Sequence, residues 1–485
     1  MKPLLRRLCT CLAPLALSAC ANHAGIAPTL TTLEIGELQS TTPAAQADVW
    51  PRVDWWREFA DAALAGLIDQ ALADNPDLQA TRARLARAAA LAEMAAGERW
   101  PRLDATAEVT RMRFTERGQV PPPFGGTTAT VNDATLDGLW ELDFFGKNRE
   151  ALQAALGSAQ AAAADHQAAR ILLASDVARR YFDVARLLAQ RSLLQRHIGQ
   201  QRERHELIQR RHVAGIDPRS DLDGIEALLA QSQRDLAAID GELDITRHAL
   251  AALLGKAPEA LAQLDARLPA LTTPAPAQPL RVELLGHRAD VAAARWRVEA
   301  AEHQRASARA AFYPNIDLRA FVGYSSIGTL DHWFEAASRQ PGVGIAFNLP
   351  IFDAGRLRAQ YRTRSAETDL AIAGYNATLL NALRDVADEL STLQSIQTQL
   401  QRQHAVLTHT QRTLALSSRR HAAGISDRLE VLAAEAQVHP QLQQFTELQA
   451  RWFDTRIRLI RALGGGYTQD ANPPPHSPTA DGSSD

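Results

Sequence analysis

DLQATRARLARAAALAEMAAGERWPRLD at Asp77–Asp104 and DVAAARWRVEAAEHQRASARAAFYPNID at Asp290–Asp317 are one passage written twice, without a gap, at an offset of 213 (290−77). Downstream, RRHVAGI at Arg210–Ile216 returns as RRHAAGI at Arg419–Ile425, an offset of 209 (419−210) that Leu254-Gly255 and Leu463-Gly464 keep. The chain is therefore one unit of about two hundred residues, duplicated. Two tandem units are too few for a solenoid, so the pair predicts two equivalent walls of one object.

Long helices fill most of each unit. Leu222, Ile225, Leu229, Ser232, Leu236, Ile239, Leu243, Thr246, Leu250 and Leu253 step by threes and fours, a sustained heptad seam. Its duplicate runs Val431, Ala434, Val438, Gln441, Phe445, Leu448, Trp452, Thr455, Leu459 and Ala462. Before each seam lies a longer arm, Lys147–Ala214 and Arg356–Ala423, that no proline interrupts and that ends at a glycine, Gly215 or Gly424. At about 1.5 Å per residue each arm spans on the order of 100 Å, and glycine is the natural C-terminal cap. The pattern predicts two antiparallel helical hairpins with matching tips and a local bend at Pro440, whose counterpart is Gln231.

Strand signals lie between the helices. Leu103, Ala105, Ala107 and Val109 alternate with Asp104, Thr106, Glu108 and Thr110; after a Pro/Gly loop, Leu136, Gly138, Trp140 and Leu142 alternate again. The second unit repeats this with Ile316, Leu318, Ala320, Val322 and Tyr324, then Val343, Ile345, Phe347, Leu349 and Ile351. Runs of about ten residues suit tilted strands that cross a bilayer. Four strands cannot close around a pore, and open edges are not tolerated in lipid, so several copies must share one barrel.

The start of the chain sets its address. Lys2, Arg6 and Arg7, the apolar Leu12–Leu17 and small residues before Cys20 read as a secretory signal too short to span a bilayer. Leu17-Ser18-Ala19-Cys20 resembles a bacterial lipobox, with Cys20 as the lipid attachment site. Cys9 and Cys11 leave with the signal, so Cys20 has no disulfide partner in an oxidising compartment. The net charge of −3 becomes −6 once three cations leave with the signal, which offers nucleic acid no basic field.

Three further groups of residues carry a family resemblance. Trp55-Trp56-Arg57-Glu58-Phe59 with Asn75-Pro76-Asp77-Leu78 opens the first unit, and Trp140-Glu141-Leu142-Asp143-Phe144-Phe145-Gly146-Lys147 and Leu349-Pro350-Ile351-Phe352-Asp353-Ala354-Gly355-Arg356 mark two strand-to-helix junctions. From Trp55 to Gly464 the chain resembles the outer membrane factors, the TolC-like channels, in the lipoprotein branch that serves resistance-nodulation-division efflux pumps. The resemblance implies a mainly α protein with a small β portion. It would be a homotrimer whose twelve-stranded transmembrane β-barrel, three times four strands, continues as a long antiparallel α-helical periplasmic tunnel. It implies a passive channel for small toxic compounds in the outer membrane, among its lipids, fed by an inner-membrane resistance-nodulation-division pump through a periplasmic adaptor. Adaptor hairpins would dock on the tips through Arg211, His212, Gly215, Arg420, His421 and Gly424; the junction residues would be Gly146, Lys147, Gly355 and Arg356. The same tip residues also serve simply to end helices, with arginine favourable at the negative end of the dipole. Some relatives carry aspartates near the constriction, but the turns before Gly424 read Leu414-Ala415-Leu416-Ser417-Ser418, which makes Leu414 and Ser418 the gate candidates. His287-Arg288-Ala289-Asp290 stands where the family often has Arg-Arg-Pro-Asp.

The resulting organisation is a signal at 1–19, a lipid-anchored tether at 20–54, a first repeat at 55–255, an equatorial linker at 256–280, a second repeat at 281–465 and a disordered tail at 466–485. His197, His205, His212, His404, His409 and His421 read as lone surface histidines, because none has a carboxylate-backed partner at ligand spacing. Tyr324, Trp140 and Trp333 are candidates for an interfacial aromatic belt. No nucleophile elbow, phosphate loop or metal motif is present, so neither enzyme chemistry nor a cofactor is expected. Two other functions fit parts of the pattern: the same channel serving type I protein secretion, and a periplasmic coiled-coil scaffold lipoprotein.

Overall fold

The computed structural model describes residues 23–33, 51–270 and 288–467. The signal, Cys20, most of the tether, the proline-rich end of the linker and most of the tail lie outside them. The elements are α1 (Ala62–Asp74), α2 (Pro76–Gly97), β1 (Arg102–Arg113), β2 (Thr128–Glu141), α3 (Lys147–Val213), α4 (Arg219–Leu253), α5 (Ala289–Ala310), β3 (Asn315–Ile327), β4 (Arg339–Asn348), α6 (Arg356–Ala422) and α7 (Arg428–Ala462). Two copies of helix, strand pair, long helix and shorter helix follow one another, and every boundary of α3 and α4 recurs in α6 and α7 at the offset of 209. No helix among the described residues is long and apolar enough to cross a membrane.

The chain forms two compact units. One comprises the described residues of Met1–Thr32, Leu85–Ala162 and Ala294–Tyr375 and holds the sheet. Its order is β1-β2-β3-β4, antiparallel throughout, and among the described residues neither β1 nor β4 has a second neighbour. The register stacks Ala105, Leu136, Val322 and Pro341 across one face, with Leu103, Leu318, Val343 and Ile345 beside them. The other face carries Asp104, Thr106, Glu108, Asp133, Thr135 and Asp137, with Thr106 and Thr135 hydroxyls bonded at 2.8 Å. Apolar side chains on that first face stand bare: Val343 is 79% and Ile345 73% exposed. The fourth strand is shorter than the alternation predicts, ending at Asn348 before Leu349 and Ile351. Pro350, which has no N–H for the ladder, stands where the pairing stops.

Within the same unit, residues 23–32 lie as a strap along α6. The Asp369 carboxylate accepts the backbone N–H groups of Thr29 and Leu30, both at 2.9 Å, while Ile26 joins a small core of Ala308, Phe312, Leu357 and Tyr361. Gly157 packs where a Cβ would come within 3.2 Å of Ala300, so α3 and α5 approach closely there.

The second unit comprises the described residues of Leu33–Arg84, Ala163–Ala293 and Asn376–Asp485. Four helical segments lie in a row, α4, α3, α7, α6. Arg186 on α3 reaches Glu242 on α4 at 2.9 Å and Glu447 on α7 at 3.6 Å. Gln403 on α6 bonds Gln441 on α7. The apolar heptad positions of α4 and α7 are buried or half-buried, and α7 buries a second set beside them in Leu432, Phe453, Ile457 and Ile460. The main core gathers Trp55, Phe59, Leu64, Ile68, Tyr181, Phe182, Leu250, Trp452, Phe453 and Ile457. Its rings interlock, Phe182 stacking on Phe453 at 4.8 Å and 15° with Phe59 edge-on to both. Asp61 caps α1 through the N–H groups of Ala63 and Leu64 and accepts the Tyr181 hydroxyl at 2.6 Å, an arrangement that with burial holds that phenol protonated far into the alkaline range. The opening motif therefore serves as the plug of this core. The linker's described part continues it, since Leu261 and Ala266 are buried there and Pro269 accepts from Gln449 at 2.7 Å.

Candidate functional site

The hairpin tips are near-identical turns built by the repeated sequence. Gly215 and Gly424 take φ of +75° and +72°, the left-handed conformation that glycine reaches without a steric penalty. The turn then closes with Ile216 N–H on Arg211 O at 2.8 Å and Ile425 N–H on Arg420 O at 2.9 Å, the six-to-one bond of a Schellman cap. His212 Nδ1 meets Asp217 O and His421 Nδ1 meets Ser426 O, each at 2.9 Å. A carbonyl only accepts, so Nδ1 carries the hydrogen in both rings. These two histidines are parts of the turn, not lone surface groups.

Charge ties the tips together. Arg211 grips Asp217 with two bonds of 2.9 Å and reaches Asp427, the N-cap of α7, at 3.5 Å; this pairing holds the Asp217 carboxyl below its usual range. Arg420 reaches Glu430 at 3.1 Å. Arg428, which sequence reasoning missed, binds Glu203 on α3 through two bonds of 2.7 and 2.9 Å and Glu435 at 3.1 Å, so it fastens the second hairpin to the first. Arg210, Arg419 and Arg420 stay exposed at the tips, and beside them stand three bare apolar side chains. Val213 is 83%, Ile425 69% and Ile216 63% exposed. The signal for them was the isoleucine after each Ala-Gly pair and, in the first tip, the valine before it.

Among the gate candidates, Leu414 is half-buried in the hairpin seam and Ser418 is exposed, its hydroxyl donating to Leu414 O at 2.9 Å. Leu416 is the more exposed apolar side chain of that turn.

At the junctions Gly146 and Gly355 adopt φ of +81° and +85°. Asp143 accepts from Arg149 N–H at 2.7 Å and Asp353 from Leu357 N–H at 2.8 Å, so in each case an aspartate just before the glycine caps the long helix. Lys147 pairs with Glu141 at the end of β2, fixing strand to helix, while Arg356 lines a cleft of about 260 Å³ with Phe145, Tyr313 and Gln360. Phe145 and Tyr313 stack at 5.0 Å. Trp140 donates its indole N–H to Arg99 O at 3.0 Å, while Trp333 stacks on Phe334 and Tyr324 meets Phe334 edge-on.

Two histidine readings need correction. His197 is half-buried and stacks on His439 of α7, ring centroids 4.2 Å apart and planes within 5°. The partner sits 242 residues along the chain (439−197), beyond any spacing rule. His205 lies 3.4 Å from Glu226 across the first hairpin, whereas His404 and His409 are exposed. Arg288, in the segment that departs from the family pattern, binds Asp290 and donates to Ala462 O at the end of α7.

Residues 67–256 and 280–465 each match the family described as outer membrane efflux protein, once per repeat, so the chain belongs to that family. It is 34% identical over 463 residues to the putative multidrug resistance outer membrane protein MdtQ of Shigella flexneri, covering 92% of this chain and 96% of the relative. It is 30% identical over 434 residues to the multidrug resistance outer membrane protein MdtP of Escherichia coli K12, covering 86% and 87%. Among solved structures it is similar to the outer membrane protein VceC of Vibrio cholerae, with a TM-score of 0.79 and 34% identity over 86% of this chain and all of the other. The CmeC outer membrane channel of Campylobacter jejuni shares the fold alone, with a TM-score of 0.81 at 20% identity over 92% of this chain and 95% of that one.

Proposed function

We propose that this member of the outer membrane efflux protein family is the exit duct of a tripartite multidrug pump, held in the outer membrane and working as a homotrimer. One observation carries the reading: a four-stranded sheet with two bare edges and one apolar face, in a chain whose helical row also ends on both sides. A lone sheet of this kind cannot reside in lipid, because its edge amides would have no partner. Two copies would give a barrel whose interior side chains fill, about eight strands, whereas three give a ring wide enough for water. The polar face, with Asp104, Glu108, Asp133 and Asp137, then lines the lumen.

The relatives named for multidrug resistance support drug efflux over protein export. In this reading Cys20 carries the lipid, and a periplasmic adaptor docks its hairpins on the apolar knobs Val213, Ile216 and Ile425, which Gly215 and Gly424 present and Arg211, Arg420, His212 and His421 frame. An inner-membrane resistance-nodulation-division pump supplies the energy, and this chain conducts passively, with its entrance narrowed near Leu414 and Ser418. Cysteines at Ala105 on β1 and Val343 on β4 would then cross-link chain to chain in the membrane into a species of three copies. A strain lacking the gene would show several-fold greater susceptibility to small toxic compounds with protein export intact. A purified chain that stays monomeric in lipid, or a deletion that blocks only a secreted protein, would overturn the reading.

A further inference from the structure

The stacked pair His197–His439 lies where the long arm of the first repeat crosses the short arm of the second. Gln201 is only 8% exposed and bonds His197 Nε2 at 2.9 Å; its amide nitrogen donates, so Nε2 is the bare acceptor and Nδ1 carries the hydrogen. That Nδ1 is buried with no partner, and the Gln201 carbonyl oxygen is likewise unpartnered. A proton arriving on Nε2 would turn the acceptor into a donor facing another donor, so the pair as built is the neutral pair.

The surroundings offer a cation little: only the Gln200 side chain favours a proton on His197, and burial outweighs it. On α3 the nearest charge is Arg196, whose own partner is the Ser192 hydroxyl. The carboxylates nearest along the helices, Glu203 six residues on from His197 in α3 and Glu435 one turn before His439 in α7, are both taken by Arg428. On α4 the same level, set by the pair Arg191–Asp240, carries Arg234 and Asp235 bonded to each other at 2.7 Å. On α6, at the level set by Gln403–Gln441, the charged and titratable groups are Arg402 and His404, both exposed. Burial, the other ring and Arg196 together push His439 down to about 4, and burial lowers His197 as well.

The backbone is weakened at the same spot. Pro440 has no N–H for the carbonyl of Ala436, so α7 lacks one helical bond beside His439. Neither feature is repeated in the other half: the counterparts of His439 and Pro440 are Ala230 and Gln231, and that of His197 is Val406.

We infer that His197 and His439 form a proton-operated joint between the two hairpins, stacked while neutral and forced apart on acidification, with α7 yielding at Pro440. In the unfolded chain both rings take up protons near pH 6.5, whereas the folded pair resists until well below. The stabilisation from the neutral pair is therefore complete above about pH 6.5 and drains away as the pH falls towards 4. Periplasmic pH follows the outside, so the joint would respond to an acid environment.

The test needs no conduction and lies within one chain, so it can fail while the channel reading stands. Hydrogen exchange, corrected for intrinsic rate, is followed on the full mature protein in lipid discs at pH 7.5 and 5. Peptides covering 193–201 and 436–443 should exchange on the order of tenfold faster at pH 5, while peptides covering Ala230 and Val406 hold steady. His439→Phe keeps a stacked ring without a titrating group and should abolish the acid response, and His439→Lys should give the fast exchange already at pH 7.5. Unchanged exchange in the native chain, or an equal acid response in His439→Phe, would overturn the joint. Should His439→Phe fold poorly, His197→Gln supplies the same comparison.

Discussion

The two long arms α3 and α6 have 67 residues each, the same tips and the same capping glycines, yet they are buried quite differently. Over its middle α3 is enclosed on opposite sides, by α4 and by α7, and buries Tyr181, Phe182, Val184 and Leu187. Over the matching stretch α6 buries one stripe, Leu379, Ala382, Val386, Leu393 and Ile396, and leaves Leu380, Ser391 and Ser395 exposed. At the offset of 209 the positions of Tyr181, Phe182 and Arg186 are occupied on α6 by Leu390, Ser391 and Ser395, and that of Phe453 is occupied on α4 by Asp244. Duplication gave both arms the same hairpin seam. Divergence then made the seam within the chain aromatic and left the outward faces polar. The seam that every copy makes for itself is a permanent core, while the outward faces stay soluble until something meets them.

The deepest way to break this contrast is at the ring stack. Phe182→Ala should cost about 3–5 kcal/mol, read as a lower denaturation midpoint in detergent, because it hollows a closed core. Ser391→Ala at the matching place on α6 should stay within about 0.5 kcal/mol. If both substitutions cost the same, the asymmetry is only apparent. The glycine turns sharpen the comparison from the other side, since there the halves remain alike. Gly215→Ala and Gly424→Ala should each lose roughly 1–2 kcal/mol to the left-handed backbone, and by similar amounts; a large disparity would mean that one tip is held by something else. The smallest difference lies at the first turn of the short arms. Arg428→Ala gives up the tie to Glu203 and should cost about 1 kcal/mol. Its counterpart Arg219, paired only with Asp223 and Glu226 on its own helix, should lose about 0.3 kcal/mol. Raising the salt concentration should shrink both values, and the second by the larger fraction because its pair is the more exposed.

Much of the fold was legible because it is periodic. The seams, the four strands and the capping glycines all follow from spacing within one element, and duplication let each half check the other. The row order of helices was not legible, since a heptad stripe names the face that packs and says nothing of a second partner on the opposite face. Ala154, Ala161 and Ala164 on α3 could have served either a solvated helix or a crowded one. The tips divide in the same way. Gly215 and Gly424 were readable from backbone chemistry alone, whereas the role of Arg428 depends on Glu203, 225 residues away (428−203). His197 seemed a surface group for that reason: its partner belongs to the other repeat. Only the shape of the turn reveals that His212 and His421 donate to carbonyls.

The bare borders of β1 and β4 also bear on the life of a newly exported chain. If the barrel is shared as proposed, the chain cannot settle in hydrocarbon until those amides are matched, so encounter with its mates has to come before or during insertion, and maturation becomes a reaction of high molecular order. Halving the supply of chains would then slow the appearance of finished ducts by considerably more than half, and a surplus of defective copies that keep one sound border would poison the rest.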